Sequence, residues 1–194
     1  VLYFVDRRWI GLLPNLGRPL QRAGRIRKLR DELRLNPHHT SARHELARLL
    51  MQAKRYEEAA ALLEQVRERM ESDDVQAELA MCYVHLNRQD EAVRLLEDVL
   101  ARNPRVKYGE PLLVFGSQLA RTAPEQALKY LRLFQEVQSS SAEGYYRLGQ
   151  IYQALGRKED ASAAFREAQE IYRGLPKYKR RSERRWYLLS LFKR

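Results

Sequence analysis

An alanine recurs along the middle of this chain at a nearly constant interval. Four such alanines lie 33, 35 and 34 residues apart: Ala59, Ala92, Ala127 and Ala161. A large apolar residue followed by Ala or Gly precedes each of them by twelve or thirteen residues. A period of this length is the signature of a helical repeat, in which each helix–turn–helix unit buries its apolar face against its neighbours. No loop or disordered segment would keep that register.

The alternation of small and large side chains has a physical cause. Ala or Gly on one helix lets the antiparallel helix approach closely, and a larger residue then fills the gap to the next helix pair. The sequence therefore predicts an all-α fold of antiparallel helix pairs. The larger residues of the predicted second helices are Leu63, Leu96, Leu131 and Phe165.

The best-formed copy of the pattern lies at residues 144–152, and its second helix follows at once. Its characteristic residues are Tyr145, Leu148, Gly149, Tyr152, Gly156, Ala161, Phe165 and Ala168. On these residues the chain resembles the tetratricopeptide repeat family over about residues 37–173. The resemblance implies a right-handed superhelical solenoid of about four repeats with flanking helices. Other helical-hairpin repeats are the structural alternative, but their periods are usually longer.

The same register divides the chain into segments. Residues 1–19 are predicted to be an apolar and basic linker, residues 20–36 a basic helix, residues 37–173 the array, and residues 174–194 a basic, aromatic cap helix. The predicted repeats are 37–72, 73–106, 107–140 and 141–173. The third repeat departs most from the pattern, because Pro111 is expected to interrupt its first helix.

The net charge of +11 is concentrated at the two ends of the chain. Residues 1–36 contain nine basic and three acidic residues, and residues 174–194 contain eight and one. Residues 37–173 contain 19 basic and 21 acidic residues, so the predicted repeats are close to neutral. Any contact with nucleic acid or with a membrane surface would therefore come from the ends.

The first residues permit two interpretations. Residues 1–5 are apolar, and Arg7, Arg8 and Trp9 follow them closely. Because the chain starts with Val rather than Met, we expect a fragment. These residues would then be the end of a membrane helix whose beginning is absent, with the arginines on the cytoplasmic side. Otherwise the segment docks on the solenoid. From Leu20 onward, the apolar spacing predicts a helix that caps the array.

The resemblance places a binding partner in a concave groove lined by the first helices. Some family members grip a carboxy-terminal carboxylate with a ring of Lys, Asn and Arg, and that ring is absent from this sequence. A peptide or helix with apolar side chains is therefore the expected ligand. The alternative is a groove filled by the chain's own ends. The predicted groove residues are His44, Arg48, Met51, Met81, His85, Arg121, Tyr146 and Gln150.

The last segment combines basic and aromatic residues. We expect a cap helix whose Trp186, Leu189 and Phe192 pack on the fourth repeat. Its charges would face water, or would contact RNA phosphates or an anionic membrane surface. The predicted basic contact residues, two of them near the amino end, are Arg7, Arg8, Lys177, Lys179, Arg180, Arg181, Arg184 and Arg185.

The sequence predicts no catalytic, cofactor-binding or metal-binding residues. The adjacent pair His38 and His39 has no Cys or carboxylate beside it at metal-ligand spacing. The single cysteine, Cys82, fits a reducing compartment and a packed position in the core. No Gly-rich loop follows a strand, because no strand is predicted.

Together these features predict a non-catalytic scaffold that holds a peptide or helix of a partner protein in its groove. We expect it on the cytoplasmic side, with the amino end as a membrane tether. The alternative is an RNA-binding helical-repeat protein that uses its basic ends. That alternative requires binding that weakens steeply as salt is added.

Overall fold

The computed structural model describes residues 17–193, and they fall into two compact units that meet along the chain between Lys107 and Tyr108. All regular structure within these residues is helical. The first unit contains α1 (Gly17–Leu35), α2 (Thr40–Gln52), α3 (Tyr56–Arg67), α4 (Asp73–His85) and α5 (Gln89–Arg102). A 3₁₀-helix, Val106–Gly109, follows. The second unit contains α6 (Glu110–Leu119), α7 (Pro124–Val137), α8 (Ala142–Ala154), α9 (Lys158–Gly174) and α10 (Lys177–Leu191).

Two prolines were placed wrongly by sequence reasoning. The basic helix α1 begins at Gly17 and not at Leu20, so Pro19 belongs to its first turn and not to the linker. Pro111 does not interrupt a helix either, because α6 begins at Glu110 and the proline again lies in the first turn. The first turn tolerates proline because its N–H groups have no partner inside the helix. The remaining linker residues, 1–16, lie outside the described part of the chain.

The close approach of paired helices explains the small residues of the repeat. A Cβ atom on Gly149 would lie 2.6 Å from Cε1 of Phe165, and one on Gly116 would lie 2.5 Å from Cγ of Leu131. Either contact is far shorter than a van der Waals separation, so a larger residue would fit at these two places only if Phe165 or Leu131 shifted. The four repeating alanines are buried in the same way, each exposed by 4% or less: Ala59, Ala92, Ala127 and Ala161.

Three helix pairs, α2–α3, α4–α5 and α8–α9, share one turn design. The middle residue of each turn is left-handed, with φ of 61° at Lys54, 60° at Asn87 and 72° at Gly156. Gly and Asn adopt this conformation at little cost, whereas Lys54 adopts it less readily. An arginine follows and pairs with an acid in the first turn of the next helix. These ion pairs are Arg55–Glu58, Arg88–Glu91 and Arg157–Asp160.

Candidate partner-binding surfaces

Glu78, in the middle of α4, is a charged residue that is only 2% exposed. Nε2 of His44 lies 2.6 Å from its Oε2 atom, and Nζ of Lys107 donates to its Oε1 atom at 2.6 Å. Nε of Arg48 lies 3.3 Å from the same Oε1 atom. A buried carboxylate is stable only with partners of this kind, because an unpaired charge away from water is costly. We call these four residues the Glu78 cluster.

The Glu78 cluster keeps its carboxylate ionised. Burial is the largest single influence and by itself raises the pKa of Glu78. Hydrogen bonds and charges from His44 and Lys107 outweigh burial, so the pKa of Glu78 lies below its ordinary value. The single negative charge faces Arg48 and Lys107 as well as His44, and the cluster therefore carries a surplus of positive charge.

Arg48 is the member of the Glu78 cluster that faces solvent. Its side chain is 57% exposed, compared with 22% for His44 and 13% for Lys107. One turn further along α2, Gln52 is exposed and Met51 is partly exposed. The guanidinium of Arg48 has five N–H donors, which is more than Oε1 of Glu78 can accept, since that atom already accepts a bond from Lys107. Donors of Arg48 therefore remain for a ligand. We call His44, Arg48, Met51 and Gln52 the α2 surface.

The predicted groove residues of α4 do not extend the α2 surface. Met81 is 3% exposed, so the expectation that it faces a partner is wrong. Its neighbour Ala77 is fully buried in a cluster with Val99 and Val106. His85 stacks on Tyr56 with the ring centroids 4.0 Å apart, and burial followed by the charge of Lys54 lowers its pKa.

Tyr146, the predicted groove residue of the fourth repeat, is also buried, at 5% exposed. The centroid of its ring lies 5.5 Å from that of Trp186 on α10 and 5.7 Å from that of Phe165. The chain's own last helix therefore covers this face, which was the alternative for the groove. The other two groove residues of the second unit, Arg121 and Gln150, are exposed.

α10 is fixed to the last helix pair at several points. The carboxylate of Glu183 accepts a hydrogen bond of 3.1 Å from the backbone N–H of Glu143, in the first turn of α8. Nε2 of Gln169 donates to the carbonyl of Ser190 at 3.2 Å, and Tyr172 stacks on Tyr187. The guanidinium of Arg147 lies 4.9 Å from the Trp186 ring centre. These contacts join α10 to both α8 and α9.

The predicted basic contact residues of α10 do not form one free surface. Arg180 donates to the carbonyls of Leu175 and Arg173, and thereby satisfies the end of α9. Arg181 and Arg184 also take part in interactions. Phe192 is 85% exposed and does not pack on the repeat as expected. Four of the predicted residues are exposed, Lys177, Lys179, Arg181 and Arg185, while Arg7 and Arg8 lie outside the described residues.

The predicted groove and basic contact residues did not include Glu78, Lys107 or Glu183. The available signal for Glu78 was a lone acid in the otherwise uncharged run 75–84. Lys107 gave none, because it reaches the cluster through a left-handed backbone with φ of 47°. Cys82, expected in the core, is indeed fully buried, and burial followed by the charge of Glu78 raises its pKa to about 12.

Residues 17–193 contain no group of three or more side chains suited to a metal ion. No helix in the same range is long and apolar enough to cross a membrane. Attachment through a segment ahead of Val1 stays a prediction.

Family comparison identifies the repeats. Three family models, each described as "Tetratricopeptide repeat", match residues 26–73, 77–105 and 142–174. The matches together cover more than half of the chain. No curated protein shows a significant sequence match to it.

Several solved structures share the fold. The crystal structure of MamA aligns over 82% of this chain and 96% of its own, with a TM-score of 0.65 and 16% identity. YrrB, described as a TPR protein with an unusual peptide-binding site, aligns over 88% and 86%, with a TM-score of 0.58 and 20% identity. TTC0263, a thermophilic TPR protein of Thermus thermophilus, aligns over 91% and 95%, with a TM-score of 0.64 and 23% identity. Likeness at these identities establishes the fold, an all-α helical-repeat solenoid.

Proposed function

This chain belongs to the tetratricopeptide repeat family, and we propose that it is a non-catalytic scaffold that binds a segment of a partner protein on the α2 surface. Proteins of this family are generally protein-interaction scaffolds. YrrB, which shares the fold, is described as having a peptide-binding site. The α2 surface is the part of the first unit where predicted groove residues remain accessible.

The observation that carries the proposal is the arrangement of Arg48 above a buried carboxylate. Glu78 lies 3.3 Å from Nε of Arg48, while more than half of the arginine side chain stays exposed. An arginine oriented in this way loses less side-chain entropy when it binds a ligand. Its planar donors suit the backbone carbonyls or the carboxylates of a peptide.

The neighbours of Arg48 favour a peptide over a small anion. Met51 offers a flexible apolar contact to a ligand side chain, and Gln52 offers both a donor and an acceptor. The carbonyl of Gln52 accepts a hydrogen bond of 2.7 Å from Arg22, which ties the end of α2 to α1. The surface therefore combines one charge, one apolar side chain and one amide along a single helix face.

Photo-crosslinking in cells tests the proposal. A photoreactive residue at Gln52 should give a discrete crosslinked protein, and one at Asp98, exposed on α5, should not. Arg48→Ala should remove the Gln52 crosslink without loss of helicity, because Glu78 retains His44 and Lys107. Equal crosslinks from Gln52 and Asp98, or a Gln52 crosslink that survives Arg48→Ala, would contradict the proposal.

A further inference from the structure

A cleft of about 570 Å³ lies between α1 and the α2–α3 turn, within the first unit. Its volume falls in the range of protein ligand sites. Pro19, Ala23, Ile26 and Ala53 form the apolar part of its wall. The remaining lining is charged: Arg22, Arg27, Arg30, Asp31, Arg34 and Arg55. We call this site the α1 cleft.

Three of the arginines are already engaged in the folded chain. Nη1 of Arg22 donates to the carbonyl of Gln52, and Nη2 of Arg30 donates to Glu58 at 2.9 Å. Arg55 also pairs with Glu58. These contacts hold the guanidinium groups at the edge of the cleft, where they cost little to order when a ligand arrives.

Arg27 and Arg34 differ from the other three. Both are exposed, and neither has an ion-pair partner within the described part of the chain. Five arginines thus face two carboxylates, Asp31 in the lining and Glu58 beside it, and three positive charges are left over. Such a surplus attracts a ligand with several negative charges.

We infer that the α1 cleft binds a short acidic segment of a partner protein that carries apolar side chains among its Asp and Glu residues. The arginines provide paired N–H donors for carboxylates, and the apolar wall provides a place for a side chain such as Leu. The lining runs from Pro19 to Arg34, about 22 Å along α1 at the rise of an α-helix, and this is long enough for several ligand residues. This site is additional to the α2 surface, and its test is independent of that surface.

The residues that line the α1 cleft argue against RNA and against an anionic membrane as its ligand. Proteins that bind single-stranded RNA stack its bases on aromatic rings, and the α1 cleft has no aromatic residue among its lining. An anionic membrane is met by a projecting basic face, whereas Ile26 in this recess is only 7% exposed. A peptide side chain can enter such a recess.

Fluorescence anisotropy on the full chain tests the inference with a labelled synthetic peptide of repeating Glu-Glu-Leu-Glu. Arg27→Glu with Arg34→Glu should weaken binding by about tenfold or more, because both exposed guanidinium groups are replaced by like charges. The matched control is Arg94→Glu with Arg105→Glu. It makes the same change in net charge at two exposed arginines elsewhere in the first unit, and binding should stay within about twofold. The neutral pair Arg27→Gln with Arg34→Gln should give an intermediate loss.

Three outcomes would overturn the inference. Equal weakening in both charge-reversal pairs would mean general attraction to a basic protein. Binding that is unchanged when every Leu of the peptide becomes Ser would remove the role of the apolar wall. Tighter binding of oligouridine or of phosphatidylserine vesicles through Arg27 and Arg34 would assign the cleft to that ligand instead.

Discussion

At the scale of single residues, Glu78 is the side chain whose removal should cost most among the charged groups. It fixes His44 and Lys107 at 2.6 Å each, and both are largely buried. Glu78→Gln keeps the shape but removes the charge that lies 2.6 Å from the ammonium of Lys107. We expect the free energy of unfolding to fall by about 2–4 kcal/mol, measured by urea denaturation at neutral pH.

Glu45→Gln is the matched control for this loss. Glu45 bonds Arg25 at 2.6 and 2.7 Å, geometry as good as that of Glu78, but both side chains are nearly half exposed. Exposed ion pairs contribute little because water screens them. A loss for Glu45→Gln as large as that for Glu78→Gln would show that burial does not govern the strength of the Glu78 cluster.

The direction in which the pKa of Glu78 is shifted determines how its contribution to stability depends on pH. Its pKa is lower in the folded chain than the ordinary 4.5. The stability it contributes is therefore present above that ordinary value and is lost as the pH falls through the folded pKa. The difference between the native chain and Glu78→Gln should be full at neutral pH and should shrink in acid below pH 4.5. A difference that is constant down to strong acid would contradict the assignment of the charge to the cluster.

At the scale of the helix, Glu183 joins α10 to the start of α8. Glu183→Ala leaves the N–H of Glu143 without its acceptor, and we expect a loss of about 0.5–2 kcal/mol, as for other lost helix caps. Glu183→Gln retains a carbonyl acceptor at the same place and should lose much less. Urea unfolding, monitored by the fluorescence of Trp186, measures the stability of both variants. A Trp9→Phe background makes Trp186 the only tryptophan.

The stability that Glu183 contributes should depend on pH in the opposite direction to that of Glu78. Burial is the main influence and raises the pKa of Glu183, and the charge of Glu143 raises it further. Backbone N–H groups of α8 oppose this in part. A raised folded pKa gives stability that is present below the unfolded value and is lost as the pH rises through the folded one. Relative to Glu183→Gln, the native chain should therefore lose stability as the pH rises above 4.5.

At the scale of the whole molecule, local sequence rules were enough for the repeats. The position of Phe165 relative to Gly149 depends on contacts within one helix pair, α8–α9, and periodicity reports those contacts directly. Proline was harder to place from sequence, since Pro19 and Pro111 can end a helix or start one. Only the backbone around them decides between the two.

The candidate site could be predicted only in part, because exposure depends on contacts distant in sequence. His44 and Arg48 were expected on an open face, and Arg48 is indeed exposed. Met81 occupies the same position in the repeat as Arg48, and Tyr146 the same position as His44, yet Met81 and Tyr146 are both buried. Tyr146 is covered by Trp186, forty residues later, and no local pattern carries that information.

Removal of α10 tests whether its main role is cover or charge. A variant that ends at Pro176 loses the ring contacts of Trp186 with Tyr146 and of Tyr187 with Tyr172. We expect the apolar face around Tyr146 to become accessible, because a repeat that lacks its terminal cap exposes the face that the cap would bury. Binding of the dye ANS should rise, and the urea midpoint should fall.

The matched variant Lys177→Gln with Lys179→Gln removes two exposed charges of α10 and leaves those contacts in place, so its ANS binding and its urea midpoint should match those of the native chain. If the charge variant behaves like the truncation, or if the truncation changes neither reading, then α10 does not stabilise the repeat by covering it.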